Sequence, residues 1–289
     1  MKIAIMTDSN SGITQTEAKE KGIFLTPMPF LINGEEYFED INLSQEDFYA
    51  KLTDNAEVST SQPSIYSVTE AWKEILKTYD ELVYIPMSSG LSASLETAEN
   101  ASKEFDGKVQ VVDNQRISIT QKQSVYDALE LAKEGKSAKE IKEWLLSTGL
   151  NASIYIMVTT LKYLKKGGRV TPAAAAIGSL LKIKPVLQIQ GAKLDKFFNC
   201  MATNQGKKKM IDQICKDLRT RFADKVSEGK MKVSMAYTNC KDKCLEFAKE
   251  ANEALKEFNL EIDFVDPLSL SVACHIGDGA LAIACYEVK

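Results

Sequence analysis

Residues 82–112 read LVYIPMSSGLSASLETAENASKEFDGKVQVV, the clearest strand–turn–helix–strand pattern in the chain. Residues 82–86 are a short apolar, strand-forming run. Residues 88–92 (SSGLS) are a turn, residues 93–105 a helix, and residues 108–112 a second strand. The same alternation extends in both directions. Residues 2–6 (KIAIM) form a strand that ends in the polar turn TDSNSG. Residues 25–32 are an extended run broken by Pro27 and Pro29. Residues 44–52 are a helix with Ser44 as N-cap and Asp47 at the third helical position, close to a capping box. Residues 58–64 (VSTSQPS) read as a hydroxyl-rich loop closed by Pro63. Residues 67–79 are an amphipathic helix with Val68, Ala71, Trp72, Ile75, Leu76 and Tyr79 on one stripe. Two more helices cover residues 118–132 and 137–146. Strands alternating with helices predict a parallel, Rossmann-like sheet covered by helices.

The pattern changes after residue 149. Residues 154–160 are a β-branched strand, and residues 161–168 end in a Gly-Gly break. Residues 171–181 read as a small-residue helix, with Thr171 as N-cap and Pro172 at its first position. Residues 186–190 and 192–198 form a hairpin around Gly191. Long helices are expected at 207–226 and 241–258, and strands at 232–237, 260–265 and 280–288. The fold class is α/β in two domains, residues 1–149 and 150–289, the second with a mixed or antiparallel sheet.

Composition narrows the function. Apolar residues are 44% and charged residues 26% of the 289, as in soluble globular proteins, so disorder and fibrous repeats are excluded. Lys+Arg number 36 against 40 Asp+Glu, a net charge of −4, which argues against a nucleic-acid binder. The six cysteines (200, 215, 240, 244, 274, 285) make no C-x-x-C pair, and one histidine is poor material for a zinc site. Cys240 and Cys244 sit one helical turn apart, unsuited to a mutual disulfide, so free thiols in a reducing cytosol are expected. The opening MKIAIMTDSNSG fits no signal-peptide apolar region. The longest apolar stretch, residues 173–181, falls short of the ~20 needed to span a bilayer. The expectation is a cytoplasmic protein.

Three hydroxyl-rich turns stand out: residues 7–9, 59–64 and 88–92. Ser and Thr favour turns and caps in any case. In an open α/β sheet, however, ligands bind outside the carboxyl ends of the strands. The turn 88–92 also offers backbone N–H groups and a hydroxyl at a helix start, which suits a carboxylate or phosphate. His275 lies in the apolar, glycine-rich stretch ACHIGDGAL. It is either a satisfied core or turn residue, a donor to the anion site, or a general base. The last option defines an alternative function, a serine hydrolase or esterase using Ser92 and His275 with Asp266 or Asp263. Its motif is incomplete, because Gly90-Leu91-Ser92-Ala93-Ser94 lacks the final glycine of G-x-S-x-G. The stretch GDGALA at 277–282 matches a relaxed dinucleotide fingerprint but has no room for the βαβ unit behind it. The carboxylates show no ligand spacing, so no metal is assigned. Lys165, Lys166, Arg169, Lys182, Lys184 and the run 207–209 are either a solvated face or a patch for an acidic partner.

Taken in order, these motifs resemble the DegV family of bacterial fatty-acid-binding proteins. The resemblance covers TDSNSG at 7–12, TSQPS at 60–64, SSGLSAS at 88–94 and VVDN at 111–114. It continues with LKYLKKGGRVTPAAAAIGSLLKIKPVL at 161–187 and HIGDGALAIAC at 275–285. It implies a long-chain fatty acid, such as palmitate, stearate or oleate, held between two α/β domains. Thr60 and Ser92 would take the carboxylate, with Ser61, Ser89, Gly90 and His275 in support. The acyl chain would lie along residues 154–158 and 173–181. It further implies a non-catalytic carrier without a cofactor, presenting the carboxylate to a separate fatty acid kinase subunit. That subunit would have an acidic surface facing Lys166 and Arg169, and transient membrane contact belongs to the same picture. Two positions depart from the family pattern: Ala93 replaces a glycine, and Asp278 stands where a proline is usual.

Overall fold

A computed structural model describes residues 1–53, 56–176 and 183–289. The chain divides into two compact units. The first comprises Met1–Leu150 with Ser269–Ser271 and Lys289, and the second Asn151–Leu268 with Val272–Val288. The short returns of late sequence to the first unit differ from a single cut at residue 149.

Among the described residues, the first unit holds a four-stranded parallel sheet in the order Phe24–Thr26, Ile3–Asp8, Glu81–Ile85, Val109–Val111. Side chains alternate across a strand, so each face recruits its own helices. Ala4, Met6, Leu82, Tyr84, Val109 and Val111 pack with Val68, Trp72 and Ile75 of the helix Ile65–Ile75 and with Leu95 and Ala98 of Ser94–Ser102. Ile5, Val83 and Ile85 face Val125, Ala128 and Leu131 of Ile119–Lys133, and Ile141 and Leu145 of Ala138–Thr148. Ala138–Thr148 opens with a capping box between Ser137 and Glu140. It ends on Arg116, whose guanidinium donates to the carbonyls of Thr148 (2.8 Å) and Gly149 (3.3 Å). Those last-turn carbonyls lack helical partners, so they receive the buried cation well.

The run 25–32 divides between two sheets. Phe24–Thr26 joins the parallel sheet, whereas Phe30–Ile32 pairs antiparallel with Glu35–Tyr37 and Val58–Thr60. The prolines between the two segments lack the N–H that a continuous strand would need. Residues 58–60, expected in a loop, are thus a strand. Three residues give too little pattern to outweigh their hydroxyl-rich composition.

The second unit holds a mixed sheet of six strands among the described residues, in the order Asp195–Cys200, Lys184–Ile189, Ala152–Met157, Leu281–Glu287, Met231–Tyr237, Ile262–Pro267. All neighbours are antiparallel except the last pair. The hairpin around Gly191 is present. Helices Thr203–Arg219 and Lys241–Leu255 cover one face, burying Met210, Ile214, Leu218, Phe247 and Ala251 against Tyr155, Met157, Val233, Met235 and Ile283. The helix expected over 207–226 is interrupted. Thr203–Arg219 ends where the Phe222 N–H returns to the Asp217 carbonyl at 2.9 Å, and Ala223–Ser227 begins afresh. Of the helix expected at 171–181, Pro172–Ala175 is seen, N-capped by Thr171. Residues 177–182 lie outside the described residues. The helices Gln15–Lys21 and Leu270–Ile276 are not among those the sequence pattern predicts. All six cysteines are unpaired thiols.

Candidate functional site

The parallel sheet fixes where its helices begin. Ile65–Ile75 leads into Glu81–Ile85, and Ser94–Ser102 leads out of it, so both run antiparallel to the strands and start at the carboxyl edge. The two helices share one apolar cluster. Ser64 and Ala93, at the N-cap positions, make no side-chain bond to their helices, and the first N–H of the second helix is taken instead by Ser92 Oγ. The loops leading into them are TSQPS and SSGLS. The TSQPS loop is tied to the second helix by the Thr97 hydroxyl, which donates to Gln62 Oε1 at 3.4 Å.

Thr60 is half-buried at the end of its strand, and Ser61 and Ser89 are exposed. Ser92 is half-buried. Its hydroxyl accepts from the Ser94 N–H at 3.1 Å and donates to the Ser94 hydroxyl at 3.0 Å. The backbone donors expected of the 88–92 turn are partly taken by the protein's own side chains. The Ser89 N–H reaches Asp113 Oδ1 at 3.3 Å, and the Gly90 N–H reaches Ser88 Oγ at 3.3 Å. What the turn offers a ligand is therefore its hydroxyls and the helix start behind them. Ala93 has φ −76° and ψ −3°, a conformation open to any residue, so the absent glycine imposes no backbone strain.

Beneath these loops lies a buried polar network that the sequence showed only as a polar turn. Asp8 accepts from the N–H groups of Asn10 (3.0 Å) and Met87 (2.9 Å) and from the Gln121 amide (3.1 Å). Gln121 also bonds Thr7 Oγ1 and the Ile85 carbonyl. Burial pushes the Asp8 carboxyl up, and these donors pull the other way. The network locks the carboxyl ends of the two central strands together, a rigid base for the loops above.

His275 belongs to the second unit, on the last turn of Leu270–Ile276. The ring is half-buried against Gly167, where an ideal β-carbon would stand 2.4 Å from Nδ1. Burial first, and then the nearby Arg169 cation, bring its pKa down to about 4, so the imidazole is neutral at physiological pH. The Gly-Gly break therefore has two causes. Gly167 must be small to admit the ring, and Gly168 ends the helix Lys162–Gly167 at φ +68°, in the left-handed region.

Among the described basic residues, Lys165, Lys208 and Lys209 are exposed and others are engaged. Lys166 is exposed, but the Arg169 guanidinium donates to the Gly167 carbonyl. Lys184 donates to Thr203 Oγ1 at 2.7 Å, and buried Lys207 pairs with Glu250 at 3.1 Å. Lys182 lies outside the described residues. Asp278 is exposed, and its carbonyl accepts from Thr159 Oγ1 at 2.6 Å.

The hydrolase arrangement lacks its electrostatics. A base in a catalytic triad is held by a carboxylate, which favours its charged form. The charge acting on His275 is a cation, and Asp263 is paired with Lys232 at 3.0 Å. Among the described residues, no group of three or more His, Cys, Asp or Glu side chains is placed to hold a metal. No described helix is long and apolar enough to cross a membrane. Of the stretches expected along an acyl chain, the strand Ala152–Met157 is buried at every residue, while much of 173–181 lies outside the described residues.

These sheets and their loops define an α/β protein with hydroxyl-lined loops at the carboxyl edge of a parallel sheet. The DegV family model matches residues 2–288, and the chain belongs to that family. A DegV domain-containing protein of Clostridium perfringens is 30% identical over 98% of this chain and 96% of its own length. Among solved structures, DegV of Bacillus subtilis, described as a fatty acid binding protein, is similar with a TM-score of 0.83 at 28% identity over 99% of each chain. A DegV family protein of Thermus thermophilus, whose structure is described by its fatty acid binding, matches with a TM-score of 0.85 at 25% identity over all of both chains.

Proposed function

We propose that this protein binds a long-chain fatty acid and takes its carboxylate at the carboxyl edge of the parallel sheet. The observation that carries the reading is the pair of helix starts at the carboxyl edge, Ile65–Ile75 and Ser94–Ser102, fronted by Thr60, Ser61 and Ser92. The fatty acid binding described for the relatives from Bacillus subtilis and Thermus thermophilus supports it. Thr60 and Ser92 are assigned as the donors to the carboxylate, and Ser61, Ser89 and Gly90 shape the loops around it. His275 is assigned to head-group support on the family resemblance.

The energetics favour this ligand class. An unpaired buried carboxylate is costly, but charge-assisted bonds from hydroxyls and helix N–H groups offset much of that. At ~0.8 kcal/mol per buried CH₂, the roughly fourteen methylenes of palmitate gain about 11 kcal/mol before the cost of lost ligand freedom. Binding of this strength needs no catalytic machinery. The finer reading is a cytoplasmic carrier, itself non-catalytic, that presents the carboxylate to a separate kinase subunit. A carboxylate held by neutral donors keeps the nucleophilicity that acyl-phosphate formation requires. Lys166 is the exposed cation proposed for docking that subunit, with Arg169 beside it.

Native mass spectrometry of the freshly purified protein, followed by lipid identification, is the direct test. A stoichiometric fatty acid is expected. Empty protein that also fails to bind added palmitate and oleate would reject the reading. The kinase step is tested separately, by acyl-phosphate formation with charge reversal at Lys166, which is expected to slow transfer and leave lipid binding intact.

A further inference from the structure

The helix Leu270–Ile276 carries the one histidine of the chain in its last turn. Two side chains hold its start. Glu39 Oε2 accepts from the Leu270 N–H at 2.8 Å, and Asn10 Oδ1 accepts from the Ser271 hydroxyl at 2.6 Å. The other Glu39 oxygen, Oε1, accepts from the Gln45 amide at 2.6 Å, which fixes the carboxylate from the helix Gln45–Lys51. Glu39 is half-buried. A helical segment transmits a displacement of its first residue along its axis, because each turn is bonded to the next.

We propose that Glu39 is a positioning residue, whose hold on the first N–H of this helix sets the placement of the His275 imidazole. Its consequence for ligand binding rests on the reading above that His275 supports the head group.

The groups around Glu39 make that hold sensitive to pH. Burial pushes its carboxyl up to about 7. The Leu270 N–H and the Gln45 amide pull it down, and Asp40 on the same loop pushes it up again. Near neutrality the carboxyl is thus divided between two states. Ionised, it makes a charge-assisted bond to the helix; protonated, it makes a weaker neutral one. The hold therefore tightens as pH rises through about 7.

With one histidine, the imidazole resonances need no assignment. In the ligand-free full-length chain they are followed by NMR from about pH 6 to about pH 8.5, well above the ionisation of the ring itself. An inflection near pH 7 is expected. It should vanish in Glu39→Gln, move to lower pH in Asp40→Asn, and persist in Asp127→Asn, which removes another carboxyl with a raised pKa. A flat profile, or an inflection that survives Glu39→Gln, would overturn the proposal. Palmitate affinity is then measured over the same range. It is expected to rise roughly three- to tenfold with pH in the natural chain and distinctly less in Glu39→Gln, whose palmitate ionises identically. Equal pH profiles would overturn the functional consequence. Absence of palmitate binding altogether would reject the fatty-acid reading, while the imidazole profile still decides the role of Glu39.

Discussion

The His275 ring occupies the space that a side chain on Gly167 would need. An ideal β-carbon at 167 would lie 2.4 Å from Nδ1 and 2.8 Å from Cε1. Residues 108 positions apart in sequence thus specify one another.

Gly167→Ala and Gly168→Ala separate the two reasons for this glycine pair. Gly167→Ala is expected to displace the imidazole, shift its NMR signals and cost about 1–3 kcal/mol. Gly168→Ala meets nothing within 4 Å but sits at φ +68°. It should cost about 1 kcal/mol through backbone strain and leave the imidazole signals in place. Thermal unfolding and the histidine spectrum together check both outcomes.

Ser92→Ala and Thr60→Ala are expected to weaken palmitate binding, each by about tenfold, measured by calorimetry. Ser92→Ala also removes the acceptor for the Ser94 N–H, so a stability loss of about 0.5–1 kcal/mol should accompany it. Unchanged affinity in both variants, with folding intact, would reject these residues as carboxylate donors.

Asp127 gives stability a pH dependence of definite sign. Burial pushes its carboxyl up to about 6, against bonds from Gln123 and the Lys289 N–H. The folded chain therefore holds a proton that the unfolded chain releases. The resulting stabilisation is complete below about pH 4 and is lost as pH rises through about 6. Denaturant unfolding should show the stability difference between the natural chain and Asp127→Asn falling by up to about 3 kcal/mol from about pH 4 to about pH 7. A difference independent of pH would contradict this placement of Asp127.

Thiol labelling should be selective. Cys240 is half-buried and the other five cysteines are buried. Burial also raises the Cys240 pKa, so it should react slowly, but first. Peptide mapping after brief alkylation of the native protein is expected to find label at Cys240, and at all six positions after denaturation. Prior label at Cys274 or Cys285 would show an opening that the structure does not contain.

Much of the architecture is written locally. The strand–helix–strand reading of 82–112, the stripe through Val68, Trp72 and Ile75, and the hairpin at Gly191 all follow from short-range periodicity and turn chemistry. What escaped depends on partners distant in sequence. Residues 58–60 are a strand because Phe30–Ile32 lies beside them. LSVACHI at 270–276 is too short and too evenly apolar to show a helical period, and its start is held by Glu39 and Asn10. At the candidate site, the hydroxyl turns were legible as an anion-binding pattern. The diversion of the Ser89 N–H to Asp113 was not, because it follows from how two loops meet at the sheet edge. Nor could the sequence show that Arg169 turns back onto the Gly167 carbonyl beside a neutral His275.

Ser269–Ser271 and Lys289 lie with residues from the first half of the chain. A gene split after codon 150 would therefore yield an N-terminal fragment in which Asn10 and Glu39 have lost the groups that answer them. Lineages that recombine such genes should exchange them whole. For the protein engineer, a domain swap must carry Lys289 and the three residues Ser269–Ser271, the short segment that leads into His275.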